Sequence, residues 1–513
     1  MNLEEKIINK LIKTKNPNPK ILEGIIRSFL KTSKEPFPKK SELLKSYHKI
    51  NKKGILNEKQ DELIKILLTT RPVRSLSGIV NVSVLTKPYP CPGQCVYCPS
   101  EEGMPKSYLK SEPAAMRAAM NNFDPTKQVK VRLRALEMTG HPTDKIEIRI
   151  IGGTWSSYNK NYQTNFIKKC FDACNPSDSK NLIESQKKNE KSKHRIVGLS
   201  VETRPDFINQ KEVERLRCLG VTSIELGVQA TDDQILKKTK RGHNISATIK
   251  ATKLLKDAGF KICYQMMPNL PGSSIQRDRQ MFEELFTSPD FQPDYLKIYP
   301  TSTIKGTELY NMFLRKEYTP YTEKELKALL KDIKKSIPYY VRIQRLIRDI
   351  PSQEIEVGSK ISNLRDIIHK EAIKEGWSCK CIRCREIKGL YNSSANLKLF
   401  KQEYLASEGK EFFLSIEDTT RKNIYSLLRL RFTSRNTAII REVHTYGLQT
   451  SISKKAKSPQ HKGLGKKLIK EAEAISKENG FKEIWVISAV GTRPYYRKLG
   501  YRVKKTYMVK KLS

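Results

Sequence analysis

The sequence predicts an α/β protein: a partial barrel of parallel strands, preceded by a small basic helical region and followed by a second α/β domain of mixed strands. Three observations predict this. Between residues 71 and 340, apolar runs alternate with helical patterns in about six units, and repeats of this kind form parallel sheets with their chemistry at the C-terminal ends of the strands. After residue 391 the pattern changes to several strands, a helix and a strand. The length of 513 residues is enough for several domains.

The elements follow from local patterns. Residues 1–70 place apolar residues between Lys and Glu at helical spacing, which predicts a basic, all-helical region. The barrel strands are predicted at 78–86, 146–153, 196–203, 223–229, 261–268 and 295–300. Residues 175–195 are rich in Lys, Ser and Asn and predict a mobile loop within the 71–340 domain. A basic linker is expected at 341–390, and the second domain at 391–513.

The charge of the chain points to a polyanionic partner. Lys and Arg number 97 against 54 Asp and Glu, a net charge of +43, and nucleic acid is the usual partner of such a basic protein. The base composition of an AT-rich genome is an alternative source of the many lysines. The apolar runs are far shorter than the ~20 residues of a membrane span, and the charged N-terminus does not resemble a signal peptide. We therefore expect a cytoplasmic protein without membrane contact.

A first cysteine motif follows the first predicted strand. Cys91, Cys95 and Cys98 have the spacing that holds three irons of a [4Fe–4S] cluster and leaves the fourth iron open. A structural zinc site is the alternative, but it needs a fourth ligand and none lies nearby in sequence. The motif resembles that of radical S-adenosylmethionine (SAM) enzymes. That resemblance implies that Tyr97 lies near the adenine of SAM and that the segment Gly152, Gly153 and Thr154 binds its amino group.

A glycine-rich stretch lies in the second domain. Gly463 and Gly465 precede a predicted helix, and a glycine turn at a helix start exposes backbone N–H groups to a pyrophosphate. A strand at 441–447 precedes it, and the segment GTRPYYRKLGY (491–501) follows. Together these resemble acetyltransferases of the GNAT type, which bind acetyl-CoA. A Rossmann dinucleotide site is disfavoured because the loop does not follow a first strand.

A second cysteine motif lies at the end of the linker. Cys379, Cys381 and Cys384 suit zinc with one further ligand. His369, on a predicted helix, is a candidate for that ligand, with an ordinary surface histidine as the alternative.

Several long motifs now occur in one order: TRPVRSLSG (70–78), PKSYLKSEPAAMRA (105–118), HPTDKIEIRIIGGTW (141–155), VETRPD (201–206), LKIYPTSTIKGTELY (296–310), RIQRLIRDIP (342–351) and AVGTRPYYRKLGYRV (489–503). In this order they are similar to the catalytic subunit of the Elongator complex. The resemblance covers nearly the whole chain. It implies a tRNA uridine(34) acetyltransferase that places a carboxymethyl group on carbon 5 of the wobble uridine. Archaeal and some bacterial members work without the other Elongator subunits, so those partners are not required.

The resemblance also implies roles for single residues. It implies catalytic roles for Lys145, Lys297 and Tyr496, and cluster ligands at Cys91, Cys95 and Cys98. The acetyl-CoA contacts it implies, together with the glycine-rich stretch, are Lys145, Glu442, Val443, His444, Thr445, Gln460, Gly463, Leu464, Gly465, Lys466 and Tyr496. Three features depart from the family pattern: closer spacing of the first two cysteines, Pro-Ser after Cys98, and Pro494 before the tyrosine pair.

The resemblance further implies a radical route, in which SAM cleavage yields a radical that removes hydrogen from the acetyl methyl group before addition to the uridine. The anticodon stem-loop is the expected tRNA partner. Its phosphates are expected to contact residues 1–70 and 340–390, including Arg342 and Arg345, but not Lys510. Lys297 and Tyr299 are expected to face the cleft that takes the uridine, with a packing residue at the barrel rim as the alternative for Tyr299. The rival interpretations are a protein lysine acetyltransferase with a structural cluster, and a tRNA-binding scaffold without activity.

Overall fold

The computed structural model describes residues 1–31, 35–51, 56, 58–70, 75–387, 395–447 and 463–512. Within these ranges, every helix is too short or too polar to cross a lipid bilayer.

The N-terminal region is helical, as predicted. Asn2 and Asn18 cap the first two helices by accepting hydrogen bonds from backbone N–H groups in the first turn. Apolar residues three and four positions apart, such as Leu44 and Tyr47, meet in a small separate core. The helices are α1 Leu3–Ile12, α2 Pro19–Leu30, α3 Lys40–Asn51 and α4 Glu58–Leu68.

The central domain is a parallel sheet with helices on its outer face, which confirms the predicted partial barrel. Its strand order is β1-β2-β3-β4-β5-β6-β8, with all neighbours parallel. The seventh strand extends the sheet past the expected boundary at residue 340. The elements are β1 Val80–Leu85, α5 Pro113–Ala119, α6 Pro125–Met138, β2 Lys145–Ile151, α7 Lys160–Asp172, α8 Leu182–Asn189, β3 Arg195–Thr203, α9 Gln210–Cys218, β4 Ser223–Gln229, α10 Asp233–Lys238, α11 Ile245–Asp257, β5 Lys261–Met266, α12 Ile275–Thr287, β6 Tyr295–Ile298, β7 Thr303–Ile304, α13 Glu308–Leu314, α14 Glu323–Ser336, β8 Arg342–Arg345, β9 Ile355–Val357, α15 Leu364–Lys374 and α16 Ile382–Arg385.

The strands have one apolar and one polar face. Val80, Val82 and Val84 are fully buried in the core beneath the helices, whereas Asn81 and Ser83 on the other face of β1 are polar. The register sets Ser83 of β1 beside Arg149 of β2. The interior of the barrel is therefore lined by polar side chains instead of being packed with aliphatic ones.

The predicted mobile loop at 175–195 is wrong. The segment contains α8, whose first turn is capped by Asn181. Asn189 is fully buried, donates to the His194 carbonyl (3.0 Å) and accepts from the Ile196 N–H (2.8 Å). The polar residues that suggested a loop act instead as caps and buried hydrogen-bonding groups, a use that composition does not reveal.

The C-terminal domain has the predicted mixture of strands around one helix. Its strand order is β10-β11-β12-β13-β14-β16-β15; the β13–β14 pair is parallel and the other pairs are antiparallel. The elements are β10 Leu397–Ala406, β11 Gly409–Asp418, β12 Ile424–Phe432, β13 Ala438–Thr445, α17 Leu464–Glu478, β14 Glu483–Val486, α18 Arg493–Arg497, β15 Arg502–Lys504 and β16 Tyr507–Lys511.

A buried ionic network joins the two domains. Asp294, directly before β6, accepts hydrogen bonds from Arg441 of β13 at 2.5 and 2.9 Å. Lys256 of α11 lies 3.4 Å from Glu411 of β11, and all four side chains are at most 1% exposed. Because a buried charge is stable only when it is paired, this network fixes how the C-terminal domain sits on the barrel.

Candidate functional site

The first cysteine triad lies in the loop after β1, at the C-terminal edge of the sheet. Backbone hydrogen bonds hold this loop at both sides, from the Val96 N–H to the Thr239 carbonyl (3.2 Å) and from the Leu309 N–H to the Val96 carbonyl (2.9 Å). The three cysteines and Tyr97 line a cavity of about 220 Å³, the cluster cavity. The predicted cluster ligands are thus brought together at the sheet edge where parallel strands place their chemistry.

Two arginines give this loop a cationic setting. Arg241 donates to the Cys95 sulfur at 3.4 Å. The Nη1 atom of Arg204 is buried and has no hydrogen-bond partner among the described residues, and a Cβ added at Gly93 would lie 2.6 Å from it. Burial raises the pKa of Cys98 to about 11, so a thiolate there needs compensating positive charge. Arg241 supplies such a charge beside Cys95, whereas Arg204 lies against Gly93 of the loop and is also paired with Asp206 at 2.9 Å. A cysteine loop flanked by arginines suits a [4Fe–4S] cluster with thiolate ligands.

The second cysteine triad is more compact. The sulfur atoms of Cys379, Cys381 and Cys384 all lie within 4.8 Å of one another, which holds for no other group of three or more Cys, His, Asp or Glu residues in the described ranges. The first triad is therefore wider, as a four-iron cube requires, and the second has the size of a single-ion site. His369 is exposed on α15 and does not belong to this group, so the structure does not support it as the further ligand.

Lys297 lies in the barrel interior below the cluster cavity. It is 5% exposed and forms ion pairs with Glu225 and with Glu202. Burial alone would lower the pKa of Lys297, but the two carboxylates outweigh it and raise that pKa. Tyr108 donates to Glu202 at 2.8 Å. Lys297 is therefore a fixed cation lining the cavity, together with Tyr299.

The glycine segment after β2 also reaches the cluster cavity. Gly152 has φ 130°, and a Cβ there would lie 2.0 Å from Oγ1 of Thr86, so only glycine fits. Gly153 and Thr154 line the cavity beside the cysteine loop. Of the predicted SAM residues, Tyr97, Gly153 and Thr154 thus share one cavity with the predicted cluster ligands.

In the C-terminal domain, strands β13 and β14 form a wedge. They pair only from Ala438 to Ile440, and the register of β12 against β13 shifts at Arg441, as at a bulge. Beyond this point, residues 442–444 of β13 and residues 487–489 after β14 line opposite sides of one cavity. Of the predicted acetyl-CoA contacts, Glu442, Val443 and His444 lie in this wedge.

The start of α17 lies beside the same strand. Gly463 has φ 81° and begins the helix, as the glycine motif predicts. A Cβ added at Gly465 would lie 3.3 Å from the Tyr495 hydroxyl and 3.6 Å from both Val443 and Thr445. The helix N-terminus is thus close to Val443 of the wedge, and the backbone N–H groups of a helix N-terminus suit a phosphate group. Gln460 lies outside the described residues.

The wedge opens onto the barrel. Its cavity, about 560 Å³, is lined by Glu442, His444 and Tyr496 on one side, and by Asn81 and Glu147 from the barrel strands on the other. We call it the interdomain cavity. Residues Ser83, Arg149, Arg345 and Asp349 line both this cavity and the cluster cavity. The two cavities therefore meet in the interior of the barrel.

Two predicted residues, Lys145 and Arg342, need separate comment. Lys145, at the start of β2, pairs in register with Arg195, whose side chain lies against Gly491 of the C-terminal domain. Burial lowers the pKa of Lys145 to about 8. Arg342 was expected to bind phosphate, but its side chain is 13% exposed and donates to Glu386 at 2.6 Å. Arg342 therefore stabilises the linker and is not an open phosphate contact.

The sequence interpretation missed several residues of these cavities. Arg149 stands between apolar residues in IEIRII, and an arginine at an alternate position of a buried strand is a signal that could have identified it. Arg204 lies in the motif VETRPD, which the sequence analysis uses only for the family resemblance and not for a site prediction. Tyr495 was passed over for its neighbour Tyr496, which is only 6% exposed.

Comparisons with known proteins agree with this geometry. Family models match as the Radical SAM superfamily (residues 89–285), the Radical SAM C-terminal domain (293–374) and the Acetyltransferase (GNAT) family (450–501). The tRNA uridine(34) acetyltransferase of Methanocaldococcus jannaschii is 43% identical over 99% of this chain and 97% of its own length. Human Elongator complex protein 3 is 37% identical over 87% of this chain and 86% of its own.

A solved structure extends the likeness. The archaeal Methanocaldococcus infernus Elp3 with residues 1–46 deleted superposes with a TM-score of 0.76 and 43% identity, covering 85% of this chain and 100% of that one. Identity at this level across nearly the full length of both proteins shows common descent. The chain belongs to the family of tRNA uridine(34) acetyltransferases and Elongator complex protein 3, with a radical SAM domain and a GNAT domain.

Proposed function

We propose that this protein is a tRNA uridine(34) acetyltransferase, which uses acetyl-CoA and SAM to place a carboxymethyl group on carbon 5 of the wobble uridine. The observation that carries the proposal is the meeting of the two cavities inside one barrel. An acetyl group bound in the wedge faces the cavity of the cysteine loop, so the two chemistries act on one substrate. If the two domains catalysed independent reactions, their cavities would not need to be connected.

The cofactors follow from the residues that would hold them. Cys91, Cys95 and Cys98 would hold the [4Fe–4S] cluster, and Gly153 and Thr154 would contact SAM. With SAM, such a cluster supplies a radical that removes a hydrogen atom from an unactivated carbon. The protein fixes the position of the acetyl group and excludes water from the barrel interior.

The GNAT half would hold acetyl-CoA in the wedge. The N-terminus of α17 would bind the pyrophosphate through backbone N–H groups, because Gly463 has open space around it and Gly465 has no side chain where the turn packs against Tyr495. Lys145 lies near the Gly491 loop through its strand neighbour Arg195 and would add a cation for the phosphates.

The rival function, acetyl transfer to a protein lysine, needs a base in the wedge. Glu442 is the acid present there, but it accepts hydrogen bonds from Tyr295 (2.5 Å) and Arg429 (2.8 Å). Burial alone would raise the pKa of Glu442, yet Arg429 outweighs it and lowers that pKa. A carboxylate held in this way is a poor proton acceptor, so Glu442 does not suit the role of that base.

The partner would be the anticodon stem-loop of tRNA. Lysines exposed on the N-terminal helices include Lys6, Lys10 and Lys13, and the net charge of +43 suits a phosphate backbone. Lys510, by contrast, pairs with Glu473 at 2.8 Å. Replacing Lys6 and Lys13 by Glu should weaken tRNA binding and reduce its salt dependence, and Lys510→Glu is the matched control.

One experiment tests the activity. Reconstituted protein is incubated without oxygen with tRNA, SAM, a reductant and labelled acetyl-CoA, and the tRNA is digested to nucleosides. We expect label in a carboxymethylated uridine, and none with a Cys95→Ala variant. Label in protein lysines but not in tRNA, or full tRNA labelling by the variant, would overturn the proposal.

We also propose that the second cysteine triad binds zinc. The sulfur atoms are close enough for one ion, and Lys334 donates to Cys384 at 3.7 Å, which would partly neutralise bound thiolates. Next to this triad, Arg385 donates to Glu417 of β11 at 2.6 Å, so the ion would stabilise the contact between the linker and the GNAT domain. A Cys381→Ser variant should lose zinc in elemental analysis but keep its iron, and retention of full zinc would contradict the assignment.

A further inference from the structure

A lysine at the start of β5 faces the wedge from the barrel side. Lys261 is on the inner face of the barrel, because the next residue along the strand, Ile262, is buried in the core beneath the helices. Its side chain lines the interdomain cavity together with Glu442 and His444 of β13 and with Ser488, which follows β14. Lys261 and both sides of the wedge therefore share one cavity.

The backbone before Lys261 packs against the closed end of the wedge. A Cβ added at Gly259 would lie 2.5 Å from Ile439 of β13 and 3.3 Å from Ile487, which follows β14. The carbonyl group directly before Lys261 accepts a hydrogen bond from Nη1 of Arg441 at 2.6 Å. Because β13 and β14 stop pairing one residue before Arg441, these contacts place Lys261 next to the point where the two strands separate.

Lys261 has no counter-ion of its own among the described residues. It forms neither an ion pair nor a side-chain hydrogen bond with them, and its Nζ atom keeps accessible surface towards the cavity. Burial lowers the pKa of Lys261, and three nearby carboxylates partly offset this effect. Each of these carboxylates is already paired with an arginine: Glu442 with Arg429 at 2.8 Å, Glu147 with Arg149 at 3.1 Å, and Asp294 with Arg441 at 2.5 Å. A half-buried ammonium group without a partner favours a ligand that brings an oxygen acceptor.

The two faces of β13 indicate which part of acetyl-CoA would meet Lys261. Val443 and Thr445 face the start of α17, where the pyrophosphate would bind. His444, between them in sequence, faces the barrel, with its Nε2 atom 2.8 Å from the Ser77 carbonyl oxygen. A CoA chain that enters the wedge from α17 therefore has its acetyl end on the barrel side, where Lys261 lies.

The carbonyl oxygen is the strong hydrogen-bond acceptor of an acetyl thioester, and it gains negative charge when the thioester is hydrolysed. We propose that Lys261 is a catalytic residue, which donates a hydrogen bond to this oxygen and stabilises its negative charge during hydrolysis. The inference rests on the proposed function, since hydrolysis of the thioester leaves the carboxylate of the carboxymethyl group. In this step water adds to the carbonyl carbon, the carbon–sulfur bond breaks, CoA leaves as its thiol with one proton, and the new carboxyl group releases the other proton.

Two CoA ligands that differ only at the carbonyl group test the contact. Acetyl-CoA has the oxygen, and S-ethyl-CoA has a methylene group in place of the carbonyl. Their dissociation constants are measured by calorimetry with the reconstituted holoenzyme, without tRNA and without reductant. We expect the wild type to bind acetyl-CoA about tenfold more tightly, as for one hydrogen bond from a charged group. Lys261→Met and Lys261→Gln should reduce that ratio towards one and leave the affinity for S-ethyl-CoA within about twofold.

Lys250→Met is the matched control, because Lys250 is exposed on α11, the helix before β5. It should keep the full preference for acetyl-CoA. Equal affinity of the wild type for both ligands, or an unchanged ratio in the Lys261 variants, would overturn the contact. Equal weakening of both ligands would mean that Lys261 contacts the CoA phosphates, and would overturn it as well. If Lys261→Met does not fold, Lys261→Gln decides between these outcomes.

The catalytic role has a readout of its own. In the activity test, Lys261→Met should lower kcat for CoA release about 100-fold, as for the loss of one oxyanion donor, and an unchanged kcat would overturn the role. If tRNA is labelled by the wild type but the binding ratio does not depend on Lys261, only this inference fails. If the ratio depends on Lys261 but no tRNA is labelled, the proposed activity fails and the carbonyl contact stands.

Discussion

The buried pair between Asp294 and Arg441 offers the sharpest test of how the domains are held together. Asp294 is fully buried and accepts hydrogen bonds from Arg441 and from the Ile262 N–H at 2.9 Å, with Arg429 at 3.5 Å. Asp294→Asn keeps the shape but removes the charge, so two buried guanidinium groups lose their shared counter-ion. Removing one partner of a buried pair costs about 3–5 kcal/mol.

An exposed pair provides the matched control. Asp332 accepts from Arg279 at 2.6 Å, with both side chains more than a third exposed. Asp332→Asn should cost less than about 1 kcal/mol. The urea concentration at the midpoint of unfolding is measured at neutral pH, and circular dichroism monitors the unfolding. Asp294→Asn should lower that midpoint far more than Asp332→Asn.

The effect of Asp294→Asn on stability should also depend on pH. Burial alone would raise the pKa of Asp294, but Arg441 and Lys256 outweigh it and hold the pKa far below its usual range. A lowered pKa stabilises the fold above the unfolded value of about 3.9, and this contribution is lost as the pH falls further. The difference between wild type and Asp294→Asn should therefore shrink below about pH 4. Similar midpoints for both Asn variants at neutral pH, or a difference that stays constant down to pH 3, would refute the reasoning.

Two further predictions concern acetyl-CoA. If Lys145 pairs with CoA phosphates, binding should weaken between pH 7 and 9, because a lysine with a pKa of about 8 loses its charge there. Lys145→Arg should give a flat profile by calorimetry, and parallel profiles for both proteins would exclude this role. Gly465→Leu should raise the dissociation constant of acetyl-CoA at least about tenfold, since the added side chain meets Tyr495 and Thr445 at the helix start. Gly24→Ala, with open space around its Cβ, is the control, and equal affinity in both variants would contradict the binding mode.

The strands of the barrel could be predicted because each has an apolar outer face that must be buried. Strand β8 escaped prediction, since RIQR places Arg342, Gln344 and Arg345 in four positions and reads as a polar linker. The cysteine triads and the glycine turns could be found because their spacing is local. The meeting of the two cavities could not be predicted from the sequence, because it depends on pairs such as Asp294 and Arg441, which are 147 positions apart.

The polar interior of the barrel explains why the ionic interface is needed. The interiors of closed eight-stranded (β/α)8 barrels are packed with branched apolar residues, which stabilise the sheet. Here Ser83, Arg149, Glu225 and Lys297 take such positions, so the interior contributes less apolar burial and contains charges that must be paired. The domain interface supplies stability elsewhere, through buried pairs that tolerate little movement because displacement leaves a charge without a partner. An open, polar barrel would thus remain aligned with the wedge of the GNAT domain, and the position of the acetyl group relative to the cysteine loop would be set by the fold and not by domain motion.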